Sequence, residues 1–472
     1  MSQVPGPRRS LDPSAEEMRR LGYRAVDRLV EHLSTLGEQR VARRGDAAAF
    51  AALVDEALPE EGHGLEESIA FFFERVVPAM TRVNHPRFHA YIPAPSSFAG
   101  ALGAVLAAGT NPFVGTWLGG ATLSSLELTV LRWIAQLVGY PENAGGLLTS
   151  GGSMANLSAL AAARARAGRE SLVSGTIYVS EEGHASMDKA AALLGYPEEA
   201  VRRVPVDERL RMQAGALSRL VREDRAAGKL PFFACANAGT TNTGAVDPLA
   251  EIAEICRTEK AWFHVDGAYG GFAALTEGGR RLLAGLAEAD SLTLDPHKWL
   301  YAPMGVGCVL VRDASALVAA FAAHGHYLQD LPADEVNFLD RGPELSRPAR
   351  VLPVWMLLRA LGRRAIAAQI EADLRLARLA AEQLAADARL ELVDPPQLSV
   401  VAFRHRARAG ESEASRAARD LALMEATLAD GTLMLSTTVT GGRTALRLVV
   451  MNHRTTEDDV RRSVTRIREL AT

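Results

Sequence analysis

The chain has 472 residues, of which 48% are hydrophobic and 23% are charged, and its net charge is −4. This length predicts two or three structural units with ample material for a core, and the lack of a basic block argues against a nucleic-acid partner. There is no signal-peptide pattern or run of 18 apolar residues, and Cys235, Cys256 and Cys308 are too scattered for a disulfide framework or a metal knot, so we expect a cytoplasmic protein without a membrane partner.

The first 95 residues have helical patterns and no strand patterns. Residues 1–12 have the composition of a flexible arm, and Pro13 opens a helical pattern over residues 14–36. Further helical patterns cover residues 46–58 and 64–77. Because these helices precede any strand, we expect residues 1–95 to form a segment that packs on another part of the protein.

Strand and helix patterns alternate between residues 96 and 355. The predicted strands cover residues 176–180, 232–237, 262–265, 291–294 and 306–311. This alternation predicts an α/β domain with a mostly parallel sheet, whose functional sites lie at the carboxyl ends of the strands. From residue 356 to 472, long helical stretches surround strand patterns at 397–405, 433–438 and 445–451, which predicts a smaller α+β domain.

A lysine and an aspartate follow two of these predicted strands. Lys298 lies in DPHKW (295–299), 32 positions after Asp266 in HVDGAYGG (264–271). A desolvated lysine titrates at lower pH and becomes a nucleophile that forms Schiff bases, the chemistry that pyridoxal phosphate (PLP) requires. PLP enzymes also hold a carboxylate against the pyridinium nitrogen. Either residue alone is more typical of a solvated strand end or a turn, but the ordered pair favours a PLP site.

A turn rich in small residues precedes a helical pattern in LLTSGGSMANLSALAAA (147–163). Gly151 and Gly152 allow close approach to an anion, Ser150 and Ser153 offer hydroxyl donors, and the start of a helix stabilises a phosphate. The alternative is an ordinary helix start capped by serine.

HVDGAYGG followed by DPHKW resembles the group II PLP-dependent amino-acid decarboxylases, the family of aromatic-L-amino-acid decarboxylase. The likeness extends from about Tyr23 to the C-terminus. It implies PLP fold type I, which is aspartate-aminotransferase-like, with PLP as cofactor and an L-amino acid as substrate. It also implies a homodimer in which the N-terminal helical segment packs on the partner subunit.

The resemblance assigns roles to matching residues. Lys298 would hold PLP, Asp266 would contact the ring nitrogen, and His184 would stack on the ring near the substrate carboxylate. The remaining implied cofactor contacts are Gly152, Ser153, Thr241, Ala268, Asp295 and His297, with Asp247 as nearby support. Asp295 stands where many relatives have asparagine.

The resemblance also implies a substrate pocket formed by Tyr91, Pro93 and Phe113, the last from the other subunit. Gly115 replaces a bulky aromatic residue of animal aromatic decarboxylases, which predicts extra room. The apolar lining, without a committed arginine or lysine, favours an aromatic or apolar substrate side chain over glutamate. Ordinary core packing is the alternative for Tyr91 and Phe113.

The polar segment 328–350 has the composition of a loop that closes over a site. In aromatic decarboxylases this loop carries a tyrosine that protonates the substrate Cα, and alignment backwards from LSR (345–347) puts Phe338 at that position. Phenylalanine has no acidic proton, so the alternative donors are Tyr327, His324, His326 and His184. An error in aligning this variable loop is the other explanation.

These observations predict decarboxylation of an L-amino acid to an amine. Plant aldehyde synthases that resemble the family carry the same Tyr-to-Phe change, so an oxygen-consuming reaction that yields an aldehyde is the first alternative. A non-catalytic relative is the second, although the presence of Lys298, Asp266 and His184 argues against it. An aminotransferase is the third, but no arginine block for a keto-acid carboxylate is evident.

Overall fold

The computed structural model of the protein describes residues 11–322 and 335–471. Helices α1–α15 of this part cover Ala15–Ser34, Ala47–Ala51, Leu65–Phe71, Phe98–Thr110, Trp117–Val138, Gly152–Ala167, Ser171–Ser174, Ser186–Leu193, Ala214–Ala226, Leu249–Glu259, Glu277–Leu282, Ser315–Phe321, Val351–Ala385, Glu413–Asp430 and Glu457–Leu470. Strands β1–β11 cover Gly145–Thr149, Gly175–Ser180, Val201–Val204, Leu230–Asn237, Trp262–Asp266, Ser291–Leu294, Gly307–Val311, Leu390–Leu392, Val400–His405, Ser436–Thr440 and Arg443–Val449. No helix in these ranges is both long and apolar enough to cross a membrane.

The larger sheet has seven strands in the order β1-β7-β6-β5-β4-β2-β3. Strands β2 to β6 pair in parallel, whereas β7 is antiparallel to both β6 and β1. Strands β5 and β6 are buried along their whole length, because helices such as α6 and α10 pack on the sheet and leave no solvated face. This mostly parallel sheet confirms the predicted α/β fold class.

The smaller sheet is antiparallel, in the order β10-β11-β9-β8, and packs against α13, α14 and α15. Its core is a separate apolar cluster that includes Phe403, Leu446 and Ile467. Helix α13 crosses the predicted domain boundary at residues 355/356, and its kink lies at Gly362, whose φ of +72° breaks the helical geometry.

The predicted N-terminal helices are present in shortened form. The pattern over 14–36 is α1, but only Ala47–Ala51 of the pattern over 46–58 is α-helical. The segment also contacts the C-terminal part of its own chain: Arg87 forms an ion pair with Asp459 of α15 at 2.9 Å, and Val41 and Phe88 form an apolar cluster with Met434, which precedes β10.

Candidate active site

A cavity of about 350 Å³ lies at the carboxyl ends of β4, β5 and β6. These three strands are parallel neighbours, so the residues that follow them meet at one edge of the sheet. The predicted residues that line the cavity are Gly152, Ser153, His184, Thr241, Asp266, Ala268, Asp295, His297 and Lys298. The structure therefore brings the cofactor-binding residues implied by the sequence into one space.

Asp266 is the last residue of β5 and is 8% exposed. Its Oδ2 accepts a hydrogen bond from Asn156 Nδ2 at 2.8 Å, and its Oδ1 accepts one from the Ala268 N–H at 3.1 Å. The two donors hold the carboxylate in one orientation on the cavity wall, where it can oppose a positive charge on a ligand.

Lys298 and Asp295 form an ion pair beside Asp266. The Nζ–Oδ2 distance is 3.0 Å, and the side chains are 18% and 3% exposed. A buried ammonium without a partner would be costly, and here a carboxylate three residues earlier in the chain balances its charge. The other oxygen of Asp295, Oδ1, is buried and lacks a hydrogen-bond partner among the described residues.

His297 is held by the backbone. Its Nδ1 donates to the carbonyl oxygen of Val306 at 2.7 Å, so the other ring nitrogen of the neutral form is an acceptor. Burial lowers the pKa of His297 below its ordinary value. His297 is therefore a neutral polar residue at neutral pH, and it lines the cavity without adding charge.

The turn before α6 provides a close-packed anion cradle. Gly151 adopts φ +152°, and no side chain caps the start of α6, which leaves backbone N–H groups free. A Cβ on Gly152 would lie 2.9 Å from Asp295 Oδ2 and 3.1 Å from Ala268 Cβ. A side chain at this position would require Asp295 to shift, and glycine avoids this where the backbone would approach a phosphate closely.

The loop after β4 is fixed from two sides. Asp247 accepts hydrogen bonds from the Asn237 N–H at 2.7 Å and from the Met212 N–H at 2.7 Å, and burial raises its pKa to about 6. The Arg447 guanidinium donates to the carbonyl oxygen of Thr241. Asp247 therefore supports the loop that carries Thr241 and lies outside the cavity wall.

The three predicted substrate residues do not line this cavity. Tyr91 and Phe113 are 61% and 40% exposed, whereas Pro93 is buried. A Cβ on Gly115 would lie 2.3 Å from the Phe113 ring and 2.7 Å from the Leu345 carbonyl oxygen. The extra room predicted at Gly115 is thus already filled by Phe113 of the same chain.

Phe338, the residue predicted for the lid, does not line this cavity in the structure. Phe338 begins a short 3-10 helix, is completely buried, and has the Arg347 guanidinium 4.9 Å from its ring centroid. Arg347 and Glu127 form an ion pair at 2.7 Å with no exposed side-chain surface. Phe338 belongs to the apolar core cluster beside this pair, and its role in the reaction stays a prediction. His324, His326 and Tyr327 lie outside the described residues.

Sequence reasoning missed several polar residues of the cavity wall. Asn156 and Ser186 line the cavity, and Tyr269 and Met304 complete other parts of it. Asn156 is four residues after Gly152 in α6 and so shares its helix face, while Ser186 is two residues after His184. Helical spacing from the glycine turn was the available signal for Asn156.

Comparison with known proteins identifies the family. Residues 48–406 match the family described as "Pyridoxal-dependent decarboxylase conserved domain". The chain belongs to the pyridoxal-dependent decarboxylase family. An aromatic-L-amino-acid decarboxylase of Bacillus atrophaeus is 38% identical over 98% of this chain and 97% of its own length.

Solved structures of this family have the same fold. The crystal structure of Oryza sativa TDC with PLP and tryptamine matches with a TM-score of 0.92 and 26% identity over 98% of this chain and 99% of that one. The structure of Rhodiola rosea 4-hydroxyphenylacetaldehyde synthase matches with a TM-score of 0.90 and 28% identity, covering 97% and 98%. The protein is thus a PLP-dependent amino-acid decarboxylase with fold type I.

The cavity fits this cofactor chemically. An amine and a carboxylate, Lys298 and Asp266, lie on its wall, and the glycine turn at Gly152 leaves no room for a side chain. The unsatisfied Asp295 Oδ1 provides an acceptor for a water or hydroxyl group of a ligand. The cavity therefore offers the glycine turn to a phosphate, a carboxylate to a cationic ring nitrogen and an amine to an aldehyde carbon.

Proposed function

We propose that this enzyme decarboxylates an L-amino acid with an aromatic or apolar side chain and releases the corresponding amine. The observation that carries the proposal is that Lys298, Asp266 and His184 line a single cavity with the glycine turn. The name of the Bacillus atrophaeus relative supports the choice of substrate class.

We assign each polar residue a role. Lys298 would hold the cofactor through its amine, Asp266 would keep a negative charge at the ring nitrogen, and the turn at Gly152 and Ser153 would hold the phosphate. When bound, PLP supplies an electron-accepting ring that withdraws the electron pair left at Cα as CO₂ departs. His184 would stack on one face of the ring and orient the substrate carboxylate through its ring N–H. Ala268 would lie against the opposite face, and Thr241 would lie beside the ring.

The reaction also requires a proton at Cα after CO₂ has left. His184, one of the donors considered from the sequence, and Lys298 both line the described cavity and are the candidate donors there, whereas Phe338 does not line it. The aldehyde-forming alternative depended on Phe338 in the lid, so it now lacks a structural observation in its favour. It is retained as an outcome of the experiment below.

We propose that the substrate pocket is completed in a homodimer. Helix α4 exposes the apolar residues Phe98, Leu102, Val105 and Leu106, which lie on one face at helical spacing. Tyr91 and Phe113 are also more exposed than aromatic residues of a completed pocket would be. A second copy that covers these surfaces would bring apolar side chains to the entrance of the cavity.

The experiment is a product assay with a panel of L-amino acids. Purified protein with PLP is incubated with aromatic, aliphatic, acidic and basic L-amino acids, and CO₂, amine, aldehyde and peroxide are measured together. We expect equal amounts of CO₂ and amine from aromatic or aliphatic substrates, with and without oxygen. Aldehyde and peroxide in equal amounts would replace this proposal with the oxidative reaction, and turnover of acidic or basic substrates alone would refute the substrate class.

A further inference from the structure

A chain of hydrogen bonds lies beneath the cavity and joins β5 and β6 to helix α6. Trp262 Nε1 donates to Ser291 Oγ at 2.8 Å, and His264 Nδ1 lies 2.8 Å from the same oxygen. His264 Nε2 lies 3.1 Å from Asn156 Oδ1. Ser291 and His264 are completely buried, and the proposed reaction uses neither of them.

The side-chain amide of Asn156 connects these hydrogen bonds to Asp266 and His184 at the reaction site. Its Nδ2 donates to Asp266 Oδ2 and to Ser186 Oγ, each at 2.8 Å. Ser186 Oγ in turn lies 2.8 Å from His184 Nδ1. One buried amide, only 1% exposed, therefore contacts Asp266 directly and His184 through a single hydroxyl group.

One branch of hydrogen bonds runs from Asp266 through Asn156, His264 and Ser291 to Trp262. The direction of each bond follows from the groups at the two ends of the branch. A carboxylate only accepts, so Asn156 must turn Nδ2 toward Asp266 and Oδ1 toward His264. His264 Nε2 must then carry the proton, and Nδ1 must accept the hydroxyl proton of Ser291. The indole N–H of Trp262 only donates, which completes the chain. Burial lowers the pKa of His264 to about 4, consistent with this neutral ring.

The second branch determines the tautomer of His184. Ser186 Oγ accepts from Asn156 and is left with one proton to donate. Both this proton and the Ser186 N–H, at 3.2 Å, point to His184 Nδ1, which must therefore be an acceptor. The proton of a neutral His184 ring then lies on Nε2.

We propose that Asn156 is a positioning residue that sets the orientation of the Asp266 carboxylate and the tautomer of His184 at the same time. The inference rests on the roles proposed above for Asp266 and His184. It assigns to a single amide the coupling between the group that faces the ring nitrogen and the group that faces the substrate carboxylate. His264, Ser291 and Trp262 act behind Asn156 by preventing its amide from rotating.

The variant Asn156→Asp tests the coupling, because it keeps the size of the side chain and replaces the donor with an acceptor. Asn156→Ser is the second variant, since it removes the amide without burying a new charge. Asn452→Asp is the matched control: Asn452 is also 1% exposed, and its Nδ2 donates to the carbonyl oxygens of Asn84 and His85, away from the cavity. The holoenzymes are compared for apparent PLP affinity and for the ¹⁵N signals of labelled His184, assigned with His184→Gln.

We expect both Asn156 variants to bind PLP on the order of 10-fold more weakly. In metal sites, removing the group that orients a ligand residue weakens metal binding by about 10- to 100-fold, and we take the lower end of that range. We also expect His184 to lose its single Nε2–H signature. Asn452→Asp should keep both properties even if it melts earlier. Wild-type affinity and an unchanged His184 tautomer in both Asn156 variants, or equal changes in Asn452→Asp, would overturn the inference. If wild-type protein instead fails to form a covalent adduct on Lys298, the proposed function itself fails.

Discussion

Asp266 illustrates how a strand end can hold a charge that is mostly buried. The carboxylate is 8% exposed and accepts hydrogen bonds from a side-chain amide and a backbone N–H. These donors replace water without cancelling the negative charge. The residue is thus prepared to stabilise positive charge that is present only when a ligand occupies the cavity.

Replacing Asp266 with asparagine keeps its size and removes its charge. We expect kcat to fall by about 100-fold or more, the usual effect of removing one preorganised electrostatic group, with a smaller change in cofactor affinity. The measurement is kcat at saturating substrate and PLP, together with a PLP titration. The control is Asp188→Asn, which alters an exposed ion pair with Arg203. A kcat close to that of the control would contradict the role of Asp266.

The sequence located residues of the cavity wall where it carries both the residue type and its strand context. Lys298 and Asp266 follow apolar runs, so their meeting at one sheet edge could be expected. Phe338 could not be placed in this way, because its position depended on aligning a loop of variable length. Phe338 is buried under Arg347, and Arg347 is held by an ion pair with Glu127. Glu127 lies more than 200 positions earlier in the chain.

At the scale of elements, helix α6 and the turn before it form the anion cradle. Helix α6 packs on α8 and on strands β6 and β7, which fixes its start relative to Asp295 and Ala268. A Cβ atom added at Gly152 would be in close contact with both of these residues, so the turn is tightly packed.

Gly152→Ala should therefore weaken cofactor binding. The added methyl group would lie 2.9 Å from Asp295 Oδ2, and overpacking that costs about 1–3 kcal/mol corresponds to a rise in the PLP dissociation constant of about 5- to 150-fold. Gly215→Ala is the matched control, because Gly215 also lies in the first turn of a helix, α9, with no atom within 4 Å of its Cβ position. The two PLP titrations decide the issue, and equal affinities would show that the cradle tolerates a side chain.

Five strands of the larger sheet were predicted to within two residues, because each is a buried apolar run between helical patterns. Strand β1, Gly145–Thr149, was interpreted only as part of the turn, since it pairs antiparallel with the distant β7. Strand β3, Val201–Val204, escaped prediction because its two central arginines are those of a partly exposed edge strand. Whether such a segment becomes a strand depends on the strand with which it pairs, and the local sequence does not identify that strand.

At the scale of the whole molecule, the exposed face of α4 is the surface that most requires a partner. Its opposite face packs closely on α13, where Gly103 approaches Pro353 so tightly that a Cβ would lie 2.7 Å away. We propose that a second copy covers the exposed face, which would bury the apolar side chains on both sides of this helix.

Val105→Asp should convert a dimer into monomers. A carboxylate in the middle of an apolar interface would be desolvated without a partner, which disfavours association. Val439→Asp is the control, because Val439 lies in β10 and is equally exposed, at 61%. Light scattering after size exclusion measures the mass of each variant. A monomeric wild type, or a dimeric Val105→Asp variant, would exclude this face as the interface.

Buried histidines should make the stability of the molecule depend on pH. Burial lowers the pKa of His89 to about 4, below its ordinary value of 6.5. The unfolded chain then binds more protons than the folded chain between these values, so stability due to neutral His89 is present above pH 6.5 and lost as pH falls toward 4.

His89→Gln removes this dependence. The advantage of the wild type in unfolding free energy should shrink by up to about 3 kcal/mol between pH 6.5 and pH 4. Thermal unfolding across this range measures the difference, with His63→Gln as the control because the His63 side chain is 51% exposed. A constant difference between wild type and His89→Gln would contradict the assignment of His89 as a neutral buried ring.

Borohydride trapping determines whether Lys298 holds PLP. Holoenzyme is reduced with borohydride and digested, and the modified peptide is identified by mass spectrometry. The account predicts a visible absorption band that disappears on reduction and a single pyridoxyl adduct on Lys298, absent from Lys298→Ala. An adduct on another lysine, or protein that stays colourless with added PLP, would contradict it.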